Sequence, residues 1–153
     1  MRLQRAENRY VCTVEVIAMR ASLNLAVTGT EEHVRAFGAR AAVQGSRIGP
    51  MAPKASETTR AAMGNLWVWE IGSKEVPADS RADEELRSFL KSYSYLFSTI
   101  SEWNDRIVDV VVTVVSEYKD DELASGYSFD AETISLLKKC RATLEIDIVR
   151  QLT

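Results

Sequence analysis

Apolar and polar positions alternate along most of this chain, and the places where the period or phase changes mark its elements. From Tyr10 to Val27 the period is two, which predicts β-structure. The phase slips partway: Cys12, Val14, Val16 and Ala18 share one parity, and Leu23, Leu25 and Val27 the other. A one-residue slip sends every side chain to the opposite face, so a bulge or turn is expected near Met19 to Ser22, giving one bent strand or a hairpin.

"TGTEEHVRAFG" then predicts a helix, with Thr30 as N-cap, Glu31 and Glu32 in the first turn, and Gly38 as its C-terminal stop. Val34 and Phe37 are its sheet-facing positions. Residues 39 to 63 contain Gly45, Gly49, Pro50 and Pro53, and predict a long irregular loop. In "GNLWVWEIGS" alternation returns, placing Leu66, Val68 and Glu70 on one face of a strand and Trp67, Trp69 and Ile71 on the other, with Gly72 and Pro77 ending it.

Ser80, three residues before Asp83, is the expected start of a long helix whose Leu86, Phe89, Leu90, Tyr93, Phe97 and Ile100 repeat at helical spacing. "RIVDVVVTVV" is β-branched on both parities, the pattern of a central strand buried on two faces. A charged loop, "SEYKDDELASGY", precedes a short helix with Asp130 as N-cap and lysines in its last turn. "TLEIDIV" closes the pattern as a strand in which Leu144, Ile146 and Ile148 alternate with Glu145 and Asp147.

Single strands separated by helices of differing kinds predict an α+β two-layer sandwich: a mainly antiparallel or mixed sheet of about four to six strands, with helices mainly on one face. A doubly wound parallel sheet fits less well, since no glycine-rich strand-to-helix turn appears. The 153 residues are expected to form one domain, with residues 1–9 as a flexible tail. Apolar residues at 46% and charged residues at 27% fit a globular chain without a membrane span. Glu15 and Arg20 interrupt the first apolar run too early for a signal peptide, so a cytoplasmic location is expected. Cys12 and Cys140 are expected as reduced, half-buried thiols.

Charge is distributed unevenly. Residues 1–60 hold 9 Lys/Arg against 5 Asp/Glu, and residues 61–153 hold 10 against 17, within an overall net charge of -3. A basic excess so local and modest argues against a nucleic-acid partner.

Catalytic patterns are sparse. A single histidine, His33, falls short of the zinc sites that need two or three, and neither cysteine has metal-ligand spacing, so no metal and no cofactor is expected. No serine lies in G-x-S-x-G, and "GSRIGP" matches no phosphate-binding fingerprint. Glu145 and Asp147 share a strand face and could do acid/base work, though a solvated face that discourages edge aggregation explains them as well. Glu117, Asp120, Asp121 and Glu122 form an acidic run without the EF-hand pattern; it suits either a solvated turn or the basic surface of a protein partner. Arg40, Arg47, Lys54 and Arg60 make residues 39–63 basic, and Arg47, Arg60 and Trp69 are the candidates for holding a small or anionic ligand. Trp67 and Trp69 suit core packing beneath the long helix or, where a ring escapes it, an interface anchor.

Several elements taken in order resemble a bacterial family catalogued as domain of unknown function 4279. They are "LAVTG", "EEHVRAFG", a Gly/Pro loop, "GNLWVWEI", "ADEELRSFLKSYSYLFSTI", "VDVVVTVV" and "GYSFDAETISLLKKCRATLEIDIV", which span nearly the whole chain from about Tyr10. "ARAAVQGSRIGP" departs from that family's proline and glycine-led turn after the first helix. The resemblance implies no catalytic residues.

The expected function is therefore a non-catalytic protein-binding domain, most concretely an immunity protein that neutralises a toxin with a basic surface. The alternatives are a small-ligand or anion-binding regulatory domain with a concave apolar pocket bordered by Arg47 or Arg60, and an enzyme with an unrecognised carboxylate site. An exposed edge, on the first or last strand, would allow a homodimer by strand pairing.

Overall fold

The computed structural model describes residues 20–41, 47–77, 80–104, 108–119 and 128–151. The expected N-terminal tail, the strand residues before Arg20 and Cys12 lie outside them. The described elements are β1 (Arg20–Gly29), α1 (Glu31–Ala41), β2 (Arg47–Pro50), α2 (Glu57–Ala62) and β3 (Trp67–Val76), followed by α3 (Ala82–Ser92) and a 3-10 turn (Ser94–Leu96). Then come α4 (Phe97–Asn104), β4 (Val108–Lys119), α5 (Ala131–Lys139) and β5 (Thr143–Gln151).

The strands form one sheet in the order β2-β3-β1-β4-β5. All pairs are antiparallel except β4 with β5, which are parallel. Parallel neighbours need a crossover, and α5 lies within it. α1, α3 and α4 pack on one face of the sheet and α5 packs beside α3, so the arrangement is α+β with a mixed sheet, as the periodicity predicts.

The core lies between the sheet and this helical layer. Inward positions Ala21, Leu23, Leu25 and Val27 of β1 meet Val34 and Phe37 of α1 and Leu86, Phe89 and Leu90 of α3. In β4, Val108, Val110, Val112 and Val114 are at most 3% exposed, while Val111, Thr113 and Val115 are only half-buried. β4 is thus covered on one face and lies beside the edge strand. The central strand is β1, because pairing partners decide position and β-branching on both parities does not.

Three helix boundaries differ from expectation. α1 continues past Gly38 to Ala41. A Cβ at Gly38 would come within 2.9 Å of Ile48 Cδ1, so the glycine serves close approach of β2 rather than termination. α3 begins at Ala82 with Arg81 as N-cap, and Arg81 instead forks onto Asp83 through Nε at 3.2 Å and Nη2 at 2.9 Å. The single long helix is two, joined through the 3-10 turn. Ser92 Oγ donates to the Phe89 carbonyl at 2.6 Å, a back-bond that bends helices, and the break lets α3 lie on β1 and β3 while α4 reaches β4 and α1.

β3 is also longer than predicted. It runs through Gly72 because a bulge resets its phase: Leu25 faces Gly72 and Ala26 faces Glu70, leaving Ile71 as the extra residue. Beyond the bulge Lys74 turns to the helical side and pairs with Glu85 of α3. The expected loop of residues 39–63 is reduced by the end of α1, by β2 and by α2, whose N-cap Ser56 accepts from the Thr59 N–H at 3.1 Å. At α5 the expectation holds: Asp130 accepts from the Thr133 N–H at 2.8 Å, and Lys138 and Lys139 occupy the last turn.

Candidate functional site

The helices cover one face of the sheet. On the other face, alternation brings outward residues of distant strands into rows. Arg47, Glu70, Ala26, Val111 and Thr143 form one row across all five strands. Gly49, Val68, Thr28 and Asp109 lie on one side of it. On the other side come Ser73, Asn24, Thr113 and Glu145, then Glu75, Ser22, Val115 and Asp147, and finally Arg20, Glu117 and Val149. No described helix packs over this face.

Its middle, supplied by β1 and β4, consists of Ser22, Asn24, Ala26, Thr28, Val111, Thr113 and Val115, all half-buried. These side chains are short or β-branched, so the floor is low. Its borders are acidic. Glu70 and Glu75 stand on β3, Glu145 and Asp147 on β5, and Asp109 at one end of β4, all of them exposed. Two concavities lie in this face. The larger, of about 490 Å³, includes Asn24, Ala26, Glu70, Thr113 and Arg47 in its lining. The smaller, of about 280 Å³, is bordered by Arg20, Ser22, Glu75, Val115 and Glu117.

The candidate residues do not converge. Glu117 lies within β4 rather than in a loop, facing Arg20 across the strand pair. Asp120, Asp121 and Glu122 lie outside the described residues. Arg47 borders the larger concavity, with its Nη1 3.7 Å from Glu70 Oε1, so a carboxylate already faces the guanidinium. Arg60 sits in α2, away from that lining.

Trp69 must be corrected as a ligand-binding candidate. It is 1% exposed on the helical side, with its ring centroid 5.3 Å from that of Phe37. The helical layer needs large apolar partners beneath it, and Trp69 supplies one. Trp67 reaches the margin of that layer, half-buried, with the Arg35 guanidinium 4.7 Å from its ring centroid in cation–π geometry.

Other candidate chemistry is structural. His33 Nδ1 lies 2.7 Å from Thr30 Oγ1 at the start of α1. Cys140 is fully buried, its Sγ donates to the Leu137 carbonyl at 3.3 Å, and burial pushes its thiol pKa up, away from the thiolate form that reacts. Among the described residues no three His, Cys, Asp or Glu side chains form a group that could hold a metal ion. No described helix is long and apolar enough to cross a membrane.

Four of the five strands of the open face were legible in the sequence, but β2 and the face itself were not. The outward parities of β1 and β5 were legible, as was that of β3 up to its bulge, whereas β4 reads as buried on both faces, β2 falls within the expected loop, and the registers that place Glu70 beside Ala26 and Thr113 beside Glu145 are tertiary. No protein-family model matches the chain, and neither does a curated protein or a solved structure.

Proposed function

We propose that this chain is a non-catalytic protein-binding domain of the bacterial cytoplasm that occupies a basic surface on its partner, as an immunity protein neutralising a toxin would. The observation that carries the reading is the sheet face over which no described helix packs, with its short-chained centre and exposed carboxylate border. Interfaces are built in this way, with a low-charge centre that packs and a polar rim that selects. Like-signed rim charges raise the rate of encounter with an oppositely charged partner and repel the wrong one.

Affinity purification of the tagged chain from its native host checks this. A one-to-one protein partner is expected, released as salt rises and toxic to cells when produced without the chain. Recovery of the chain alone, or a partner harmless in its absence, would refute the immunity role.

The anion-binding alternative draws on the concavity bordered by Arg47. An anion there would have to displace Glu70 from the guanidinium, and Ser73, Asn24 and Thr113 give much of the lining a polar character in place of the expected apolar one. The protein-binding reading therefore takes precedence. The carboxylate-enzyme alternative rests on Glu145 and Asp147, which stand exposed on β5.

A further inference from the structure

We infer that the open sheet face is a trough for a basic amphipathic α-helix of a partner protein, lying lengthwise over β1 and β4 between the carboxylates of β3 and β5. The inference rests on the protein-binding reading and gives the partner a shape and a chemistry.

Dimensions support this occupant. β3 and β5 are separated by three strand spacings, about 14 Å, and an α-helix with its side chains is about 10–12 Å across. From Arg20 to Thr28 the floor runs about 27 Å, the length of roughly 18 helical residues. The floor is low along this course. Ser22, Asn24, Ala26 and Thr28 on one strand and Val111, Thr113 and Val115 on the next leave room for a helix to approach with small or apolar residues facing down.

Charge sets the rest of the helix. Glu70 and Glu75 line one long side, Glu145 and Asp147 the other, and Asp109 one end, whereas the cations on these rows are Arg47 at the β2 margin and Arg20 at the far end, with Lys119 one row beyond it on β4. Arg47 faces Glu70, and Glu75, Asp109, Glu145 and Asp147 make no ion pair with any described residue. A helix carrying lysine or arginine along both flanks of an apolar seam would meet opposite charge on each side. A neutral or acidic helix would not, and a second copy of this face would bring like charges together. Lengthwise seating in a groove, with anchors on one stripe, is an established mode of helix recognition.

The test uses the full chain and a fluorescent peptide of about 18 residues, with alanine and leucine on one helical stripe and lysine on both flanks. A second peptide has glutamate at every lysine position. The lysine peptide is expected to bind, to weaken as salt rises, and to weaken by about tenfold on the Glu145→Lys/Asp147→Lys variant. A Glu32→Lys/Glu57→Lys variant carries the same change in net charge on α1 and α2 and is expected to bind as wild type does. Backbone amide shifts on peptide addition should concentrate in β1 and β4.

Equal binding of the two peptides, no binding of either, equal losses in both variants, or shifts confined to the helices would overturn the inference. So would sedimentation showing a dimer that Glu145→Lys/Asp147→Lys dissociates, since a second copy would then own the face. A toxic partner from the host that holds equally to wild type and to Glu145→Lys/Asp147→Lys would remove the trough while leaving the protein-binding reading intact.

Discussion

At Gly72 a Cβ atom would lie 1.9 Å from the Tyr93 hydroxyl oxygen and 2.5 Å from the ring carbon bearing it. The missing methyl group is what lets the tyrosine at the break between α3 and α4 lie against the bulge of β3. Gly72→Ala should therefore destabilise the fold by about 1–3 kcal/mol in urea unfolding. Adding Tyr93→Ala should recover part of that loss, and strict additivity of the two changes would show that the clash is not the cause. Asp130 offers a different residue-scale test. Its carboxyl is held below the ordinary aspartate value chiefly by the hydrogen bond from the Thr133 backbone N–H and, to a lesser degree, by the Arg87 guanidinium paired with it. A depressed folded pKa stabilises above the unfolded value and is lost as pH falls through the folded one. The urea midpoint should thus drop on acidification below about pH 4, and Asp130→Asn should flatten that part of the drop.

Among elements, β5 is the exposed one. Among the described strands it pairs on one side only, and Ile146, Ile148 and Val149 are 39%, 60% and 44% exposed. Only Leu144 packs against the core, so the helical layer gives out before the end of the strand. Such an edge is a template for pairing with another chain, and Glu145 and Asp147 work against that by keeping one of its faces charged. Ile148→Lys should change the urea midpoint by no more than about 0.5 kcal/mol equivalent while reducing light scattering of concentrated solutions. A large loss of stability would mean that Ile148 is covered in solution. The opposite edge, β2, has four residues, short enough to offer little template.

For the molecule as a whole, the two faces of the sheet serve different ends. One buries Trp69, Phe37 and the valines of β4 beneath helices, and the other keeps its charge at the border and its short side chains in the middle. Cys140, fully buried against the helical layer, reports on the stability of the covered side. In a Cys12→Ser background, iodoacetamide should label Cys140 slowly at pH 8, and labelling should rise with denaturant in step with loss of circular dichroism. Fast labelling under native conditions would show that the layer opens locally without global unfolding.

Local periodicity was enough to establish that strands and helices alternate here, that Leu23, Leu25 and Val27 share an inward parity, and that Asp130 caps a helix ending in lysines. Each of these follows from a few neighbouring residues, because a strand repeats every two residues and a cap acts within three. Strand order, the division of the long helix at Tyr93, the bulge at Ile71 and the burial of Trp69 but not Trp67 depended on contacts between segments far apart in the chain. The trough belongs with these, since an outward alanine on β1 and an outward glutamate on β5 acquire a joint meaning only when the strand between them sets their register.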